Sequence, residues 1–382
     1  MALRTVVRLA DLSANFITNS SASSTYLTQA SASSTYAPII PTTQTGFRNL
    51  IINGDFRINQ RGFTSKGAAG VADYGFDRWF IFSSEGNGVL TPQTFTVGNA
   101  ISGYEPQNFM RLAAPSTTKA TASESIGQRI EDVRTFAGQT VTISFWAKAT
   151  SGTPNISIEL SQNFGTGGSP SSQVNTYVDK IPLSTSWTRY TETITVPSIS
   201  GKTLGTTANT SYLELRVWCS AGSDFNARTN SLGNQNNTFD FWGFQVERGT
   251  IATPFEQRPI GTEISLCQRY FQKSFPITTT PSAPAGTGDG TANNLIVYNA
   301  TVGNAYSSLI RFQTTMRRQP DIVLYNAETS AIGTWSVYNS TGQANNSYAP
   351  GVSPFHNGMM VFIPGVPSIT VSNGAWTANA EL

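Results

Sequence analysis

Between residues 140 and 149 apolar and polar side chains alternate. Val141, Ile143, Phe145 and Ala147 fall on one face, and Thr142, Ser144, Trp146 and Lys148 on the other. A period of two is the signature of a strand with one buried face. Leu213, Leu215 and Val217 alternate in the same way against Glu214, Arg216 and Trp218. Shorter runs at 49–52, 77–82, 95–97, 110–113, 125–130, 155–161, 187–196 and 239–247 are separated by clusters of Gly, Pro, Asn or Ser. About eight to ten strands at this spacing, with no helical periodicity between them, predict an all-β fold, a two-sheet jelly-roll β-sandwich over residues 46–260.

The pattern changes after Gly249, Pro254 and Pro259, which end regular structure. Ile264, Leu266, Cys267, Tyr270 and Phe271 recur at helical spacing. The segment 246–271 therefore reads as a hinge between two modules, closing one and opening the next with a short linking helix. A Thr/Pro/Gly linker at 278–290 and strand candidates at 294–301, 307–312, 321–325, 334–338, 358–363 and 368–371 then predict a smaller C-terminal β-sandwich within residues 261–382.

Residues 1–45 differ from the rest. Val6, Val7, Leu9, Leu12, Phe16 and Ile17 could share one face of a short helix, and the hexapeptide SASSTY at residue 21 recurs at residue 31. So small a repeat cannot build a core on one chain. It reads either as a polar tether or as an extended stalk in which Tyr26 and Tyr36 of several chains stack along an axis.

Composition narrows the functional classes. Of 382 residues only 12% are charged, about half the usual share, while Ser and Thr make up about a quarter. The 22 Phe, 13 Tyr and 7 Trp supply apolar area for a folded chain beyond residue 46. A net charge of +2, with no basic run beyond Arg317-Arg318, argues against a nucleic-acid partner. No segment approaches the roughly 20 apolar residues of a membrane span, and residues 1–18 do not read as a signal peptide because Arg4, Arg8 and Asp11 interrupt them. Cys219 and Cys267 read as buried free thiols, consistent with a reducing cytoplasm.

Three pieces carry a resemblance: NLIINGDF at 49–56, DRWFIF at 77–82, and the run ERGTIATPFEQR ending at Arg258. In this order they resemble a type of bacteriophage virion protein with a carbohydrate-binding-module-like jelly roll, over residues 46–275. FQTTMRRQPDIVLY at 312–325 resembles the strand–turn–strand of C-terminal domains in the same proteins. Tyrosine-bearing repeats like that at 21–36 also occur in phage fibres. The resemblance implies a non-enzymatic tail-fibre protein that adsorbs to a host-surface glycan, assembled in the host cytoplasm and located in the virion. It further implies a homotrimer with residues 1–17 docked to other virion proteins, and no membrane insertion. A capsid-decoration or head-fibre protein and a polysaccharide-degrading tailspike are the alternatives.

Candidate chemistry follows from the outer faces. Trp146 and Trp218 lie opposite the apolar alternation, where an aromatic ring can stack a sugar; Arg216, Glu214, Lys148 and Gln162 would serve its hydroxyls. The competing reading has each tryptophan covered by a loop or a neighbouring subunit, and Trp79 and Trp242 read as core. The resemblance implies no cofactor except a structural calcium. Asn53 or Asp55 with Asp240 or Glu247 would supply the oxygen ligands calcium needs, unless Asn53-Gly54-Asp55 is only a tight turn. The single histidine, His356, lacks a G-x-S-x-G elbow or a metal-binding pattern around it. For a paired-carboxylate hydrolase the nearest acids are Glu131, Asp132, Glu247 and Glu256, with no assignable partners.

Overall fold

The computed structural model describes residues 46–67, 72–85, 87–98, 101–282, 294–297, 306–326, 329, 331–339, 344–363 and 369–381. The expected anchor at 1–17, the repeat at 21–36 and most of the 278–290 linker lie outside them. In chain order the first module comprises β1 (Asp73–Tyr74), β2 (Phe80–Ser84), β3 (Val89–Thr94), β4 (Asn108–Ala114), β5 (Ser123–Ile130), β6 (Thr140–Ala149), β7 (Asn155–Asn163), β8 (Val174–Pro182), β9 (Thr188–Thr195), β10 (Tyr212–Ala221) and β11 (Asn237–Arg248). A single helical turn, α1 (Asn226–Thr229), lies between β10 and β11.

These strands form a six-stranded sheet in the order β1-β2-β5-β10-β7-β8 and a five-stranded sheet in the order β3-β4-β11-β6-β9. All pairings are antiparallel, and the two inner faces build one core, so the expected jelly-roll sandwich is the fold. The apolar alternation of β6 and β10 points inward as predicted: Ile143, Phe145, Leu213, Leu215 and Val217 are fully buried. Phe145 stacks on Phe244 with ring centroids 4.9 Å apart. Trp79, Trp242, Cys219 and Cys267 are buried as expected, and both thiols are free.

Three local expectations differ from the structure. Residues 95–97 are not a strand: the pairing belongs to β3, which ends at Thr94, and beyond it Phe95 N–H still donates to the Gln107 carbonyl at 2.9 Å. Residues 49–52 are not a strand, although Leu50 N–H donates to the Val246 carbonyl at 3.0 Å. The Asn49 side chain displaces the ladder there: its Oδ1 accepts from Ile51 N at 2.9 Å and Val246 N at 3.1 Å. Strand β8 lacked an apolar alternation because it is an edge strand, mostly half-buried, and its pairing with β7 shifts register between Ile158 and Glu159.

The second module begins with α2 (Ile260–Gln268) and β12 (Phe271–Lys273), so the helix starts before the periodic positions and ends before the last two of them, Tyr270 and Phe271. Then follow β13 (Asn294–Val297), β14 (Tyr306–Arg311), β15 (Asp321–Asn326), β16 (Trp335–Asn339), β17 (Ala344–Tyr348), β18 (Gly351–Phe355), β19 (Gly358–Ile363) and β20 (Ile369–Asn379). Strand β20 is the spine. It pairs with β12 and β13 along one edge and with β15 and β16 along the other. A three-stranded sheet, β14-β19-β18, completes the module. Among the described residues no helix is long and apolar enough to cross a membrane.

The 246–271 segment is not a free hinge. Residues Phe47–Leu382 form one compact unit, and the 260/261 boundary falls inside a packed joint. Arg258 donates to Glu263 at 3.0 Å, to the Ile51 carbonyl at 2.7 Å and to the Asn49 carbonyl. Glu263 accepts the Asn53 N–H, and Trp79 Nε1 donates to the Asn53 carbonyl at 3.0 Å. Gly54 has no room for a side chain, since a Cβ would stand 2.3 Å from the Phe244 carbonyl oxygen. The three motif pieces thus meet at one corner. The chain end closes the same joint: Glu381 pairs with buried Arg78, whose guanidinium lies 3.4 Å from the centre of the Tyr270 ring. Glu381→Ala leaves Arg78 buried without its carboxylate, and is expected to cost about 3–5 kcal/mol in urea unfolding. Removing the exposed Arg134–Asp132 pair with Arg134→Ala is expected to cost under about 1 kcal/mol in the same assay.

Candidate functional site

The structure brings Glu214, Arg216 and Trp218 together on the outer face of the six-stranded sheet, but as a covered charge ladder. Glu214 accepts from Arg129 at 2.9 Å and from Arg216 at 2.7 Å. Burial pushes its carboxyl up, yet Arg216 and Arg129 together hold it below the usual carboxylate range. Trp218 is 0% exposed. Phe225 packs on it at 5.1 Å, Arg228 from α1 covers it at 4.9 Å, and its Nε1 donates to Glu159 at 3.1 Å. Arg228 grips Glu159 through two bonds, at 2.8 and 2.7 Å. Gln162 is buried too, and donates to the Pro197 carbonyl at 2.9 Å.

Trp146 is on the other sheet and is only 3% exposed. Tyr104, Trp242 and Phe255 surround its ring at 5.8, 5.3 and 6.4 Å, and its Nε1 donates to Ser102 at 3.3 Å. Gly243, at φ +68°, lets the β11 backbone pass under the ring, where a Cβ would stand 2.7 Å away. The open-platform reading of Trp146 and Trp218 is therefore corrected. Trp146 is covered by segments distant in sequence, and Trp218 by the turn and helix that directly follow its own strand.

What remains accessible on the five-stranded sheet is a different aromatic group. Trp187, in the turn before β9, packs against Phe95 at 5.4 Å and Phe109 at 5.5 Å, and these two rings lie 4.8 Å apart. Trp187 and Phe95 are half-buried, so part of each ring faces solvent. Beside them Arg111 grips Asp240 through two bonds, at 2.7 and 2.9 Å, with Lys148 Nζ 3.7 Å from the same carboxylate. Lys148 also lies 5.4 Å from the Trp187 ring. Asp240 is fully buried, whereas the Arg111 and Lys148 side chains retain 32% and 28% exposure. The site thus offers aromatic faces flanked by cationic donors held in place by one buried carboxylate. Of the expected hydroxyl-binding residues only Lys148 is here. Trp187 was legible only as the first residue of a predicted strand. Its one local signal is an aromatic following the polar turn Ser184-Thr185-Ser186.

The expected calcium ligands do not converge. The Asn53 amide donates to the carbonyls of Ile58 and Asp77, Asp55 pairs with Arg57 at 2.5 Å, and Asp240 is held by Arg111. Glu247 accepts from Thr253 N at 2.8 Å, Thr253 Oγ1 at 2.7 Å and Gln245 at 2.7 Å. Protein donors occupy these oxygens, and among the described residues no group of three or more His, Cys, Asp or Glu could hold a metal. The other acids are likewise engaged: Asp132 by Arg134, Glu256 by Asn49 N, and Glu131 by Arg269 and Tyr270. His356 sits in the turn between β18 and β19 and uses its carbonyl to accept from Met316 N at 2.7 Å.

Burial raises the Glu131 carboxyl, but hydrogen bonds from Arg269 and Tyr270 more than offset it, so its pKa lies below the ordinary value of 4.5. A depressed carboxylate stabilises the fold above the unfolded-state pKa, and that contribution is lost as pH falls through the folded value. Glu131→Gln is accordingly expected to be less stable than the parent at pH 7. The gap should shrink as pH drops below about 4.5, as followed by urea unfolding at both pH values.

Residues 112–212 match the CBM_4_9 family model, described as a carbohydrate binding domain. No curated protein matches the chain. Among solved structures, the chain is similar to the enzymatically active domain of bacteriophage CBA120 tailspike protein 4, at 13% identity and a TM-score of 0.30. That alignment covers 53% of this chain and only 22% of the tailspike chain. It is also similar to the CBM22-2 xylan-binding domain of Paenibacillus barcinonensis Xyn10C, at 17% identity and a TM-score of 0.31, covering 47% of this chain and 98% of that one. A third is the family 11 carbohydrate-binding module of Clostridium thermocellum in complex with a mixed-linked tetrasaccharide, at 14% identity and a TM-score of 0.29, covering 50% and 98%.

Proposed function

We propose that this chain is a non-enzymatic, carbohydrate-binding fibre protein of a phage virion, which holds host-surface glycans on the outer face of its five-stranded sheet. The observation that carries this reading is the half-open Trp187–Phe95–Phe109 cluster beside Arg111 and Lys148. The C–H face of a sugar stacks on such rings, while the cationic donors reach its oxygens. The family match over 112–212 supports the glycan part, since Lys148 and Trp187 both lie within it. The three sequence motifs and the SASSTY repeat support the fibre part. Binding without turnover fits the candidate acids Glu131, Asp132, Glu247 and Glu256, which arginines, hydroxyls or backbone N–H groups engage. Three copies would raise a weak single-site affinity by avidity.

Affinity electrophoresis through gels containing bacterial surface polysaccharides tests the glycan part. At least one polysaccharide should retard the protein, and Trp187→Ala should weaken that retardation about tenfold, equivalent to about 1.4 kcal/mol. The same substitution should leave the thermal unfolding midpoint nearly unchanged. Trp218→Ala should do the reverse, costing about 3–5 kcal/mol of stability without a specific effect on binding. Retardation that survives Trp187→Ala would sink the sheet assignment, and shortened polysaccharide chains after incubation would sink the non-enzymatic one. Native mass spectrometry of the intact assembly checks the fibre part, with three chains expected.

A further inference from the structure

The three-stranded sheet β14-β19-β18 of the second module is apolar on both faces. Residues 359–363 of β19 read Met-Met-Val-Phe-Ile without a polar break. A strand without alternation belongs where both of its faces are covered. Directly paired residues share a face, so the register assigns each side chain. Met359 and Val361 point inward: both are 0% exposed and join the core of the second module, against which Ile310 and Val352 pack. The outer face carries Leu309 and its partner Met360, then Phe362, and Phe355 on the same side of β18 as Ser353, the other partner of Met360. Leu309 is 50% and Phe355 41% exposed, while Met360 and Phe362 are half-buried.

The inner face is thus covered by the module itself, and the outer one stays open among the described residues. Its composition says what fits there. Arg311, paired with Gly358 at the end of the strands, is the one charge on this face among the described residues, and it lies at the rim. Apolar surface with charge kept to the rim is the composition of a permanent interface, most marked between copies of one chain. A foreign partner bound reversibly would need polar positions to fix its orientation, and the centre of this face has none. A face turned toward a symmetry axis meets itself, so apolar matches apolar without any complementary charge. Growth of the sheet by its edge is the poorer route, because β18 carries Pro354, which has no N–H to offer a further strand.

We propose that this outer face is the self-association surface of the second module, turned toward the axis of the assembly so that Leu309, Phe355, Met360 and Phe362 of one copy pack on the same residues of another. The surface joins the copies that the fibre reading requires, and rests on that reading. The test is Met360→Cys in the full chain, treated at low protein concentration with a bis-maleimide of short span. Cys219 and Cys267 are 0% exposed and stay silent. Chains linked to one another should be the main product on a denaturing gel. Val97→Cys, at a position 93% exposed in the first module, should leave the chains single. Adding Leu309→Glu to Met360→Cys puts an unpaired carboxylate into the contact, and should lower the yield of linked chains at least about tenfold, while far-UV circular dichroism matches the parent. Single chains whose Met360→Cys thiol reacts with a monofunctional maleimide mean an open face, and single chains whose thiol does not react mean cover by the same chain. Either result overturns the assignment, as do equal linking in Val97→Cys and indifference to Leu309→Glu. Native mass spectrometry counts the copies separately. Three copies without linked chains would keep the fibre reading and remove this face, whereas linked chains in a two-copy assembly would keep this face and remove the three-copy reading.

Discussion

The Arg258 guanidinium holds together segments that the chain separates by about two hundred residues. It bonds the carbonyls of Asn49 and Ile51 and the carboxylate of Glu263 at a corner where it is only 6% exposed. A buried guanidinium is tolerated only where most of its donors find acceptors. That requirement places the opening segment of the jelly roll, its closing elbow and the first turn of α2 against one another. The second module inherits its position from this contact, because β12 follows α2 after two residues and pairs with β20.

Many of the charges among the described residues are spent in this way. Arg78–Glu381, Arg269–Glu131, Arg129–Glu214–Arg216 and Arg228–Glu159 are all ion pairs with at least one largely buried partner. Such pairs add less net stability than their Coulomb energy suggests, but they penalise any arrangement that separates the partners. A low charge content thus goes with a rigid joint, and leaves the outer surface to hydroxyls, amides and a few aromatic rings. The Asp240 carboxylate follows the same rule, since it is buried and fixes Arg111 and Lys148 beside the open rings.

The alternation of residues 140–149 and 212–218 located β6 and β10 and assigned their inner faces, and the same reasoning found β5, β7 and β11 within a few residues. It failed for β8, where an edge position and a register shift relax the pattern, and for 49–52, where Asn49 takes the ladder bonds for itself. The tryptophans show the limit more sharply. Trp146 and Trp218 do point away from the core face of their strands, as their positions required, yet neither is open. Trp187, at a turn with no alternation around it, is.

The amino-acid sequence by itself determined that the chain is a β-sandwich, which strands build it and which face of each is apolar. These are local properties, set by the two-residue period of the strand and by turn residues between the runs. Only the tertiary structure decided which outward ring stays exposed, which carboxylates are free, and whether the proline-rich elbow bends or locks. Coverage of Trp218 depends on Phe225 and Arg228, coverage of Trp146 on Tyr104 and Phe255, and the elbow on Asn49, Ile51 and Glu263. Phe225 and Arg228 lie just beyond β10 in a turn and helix that carry no strand period, while Tyr104, Phe255, Asn49 and Ile51 reach their contacts from segments far away along the chain.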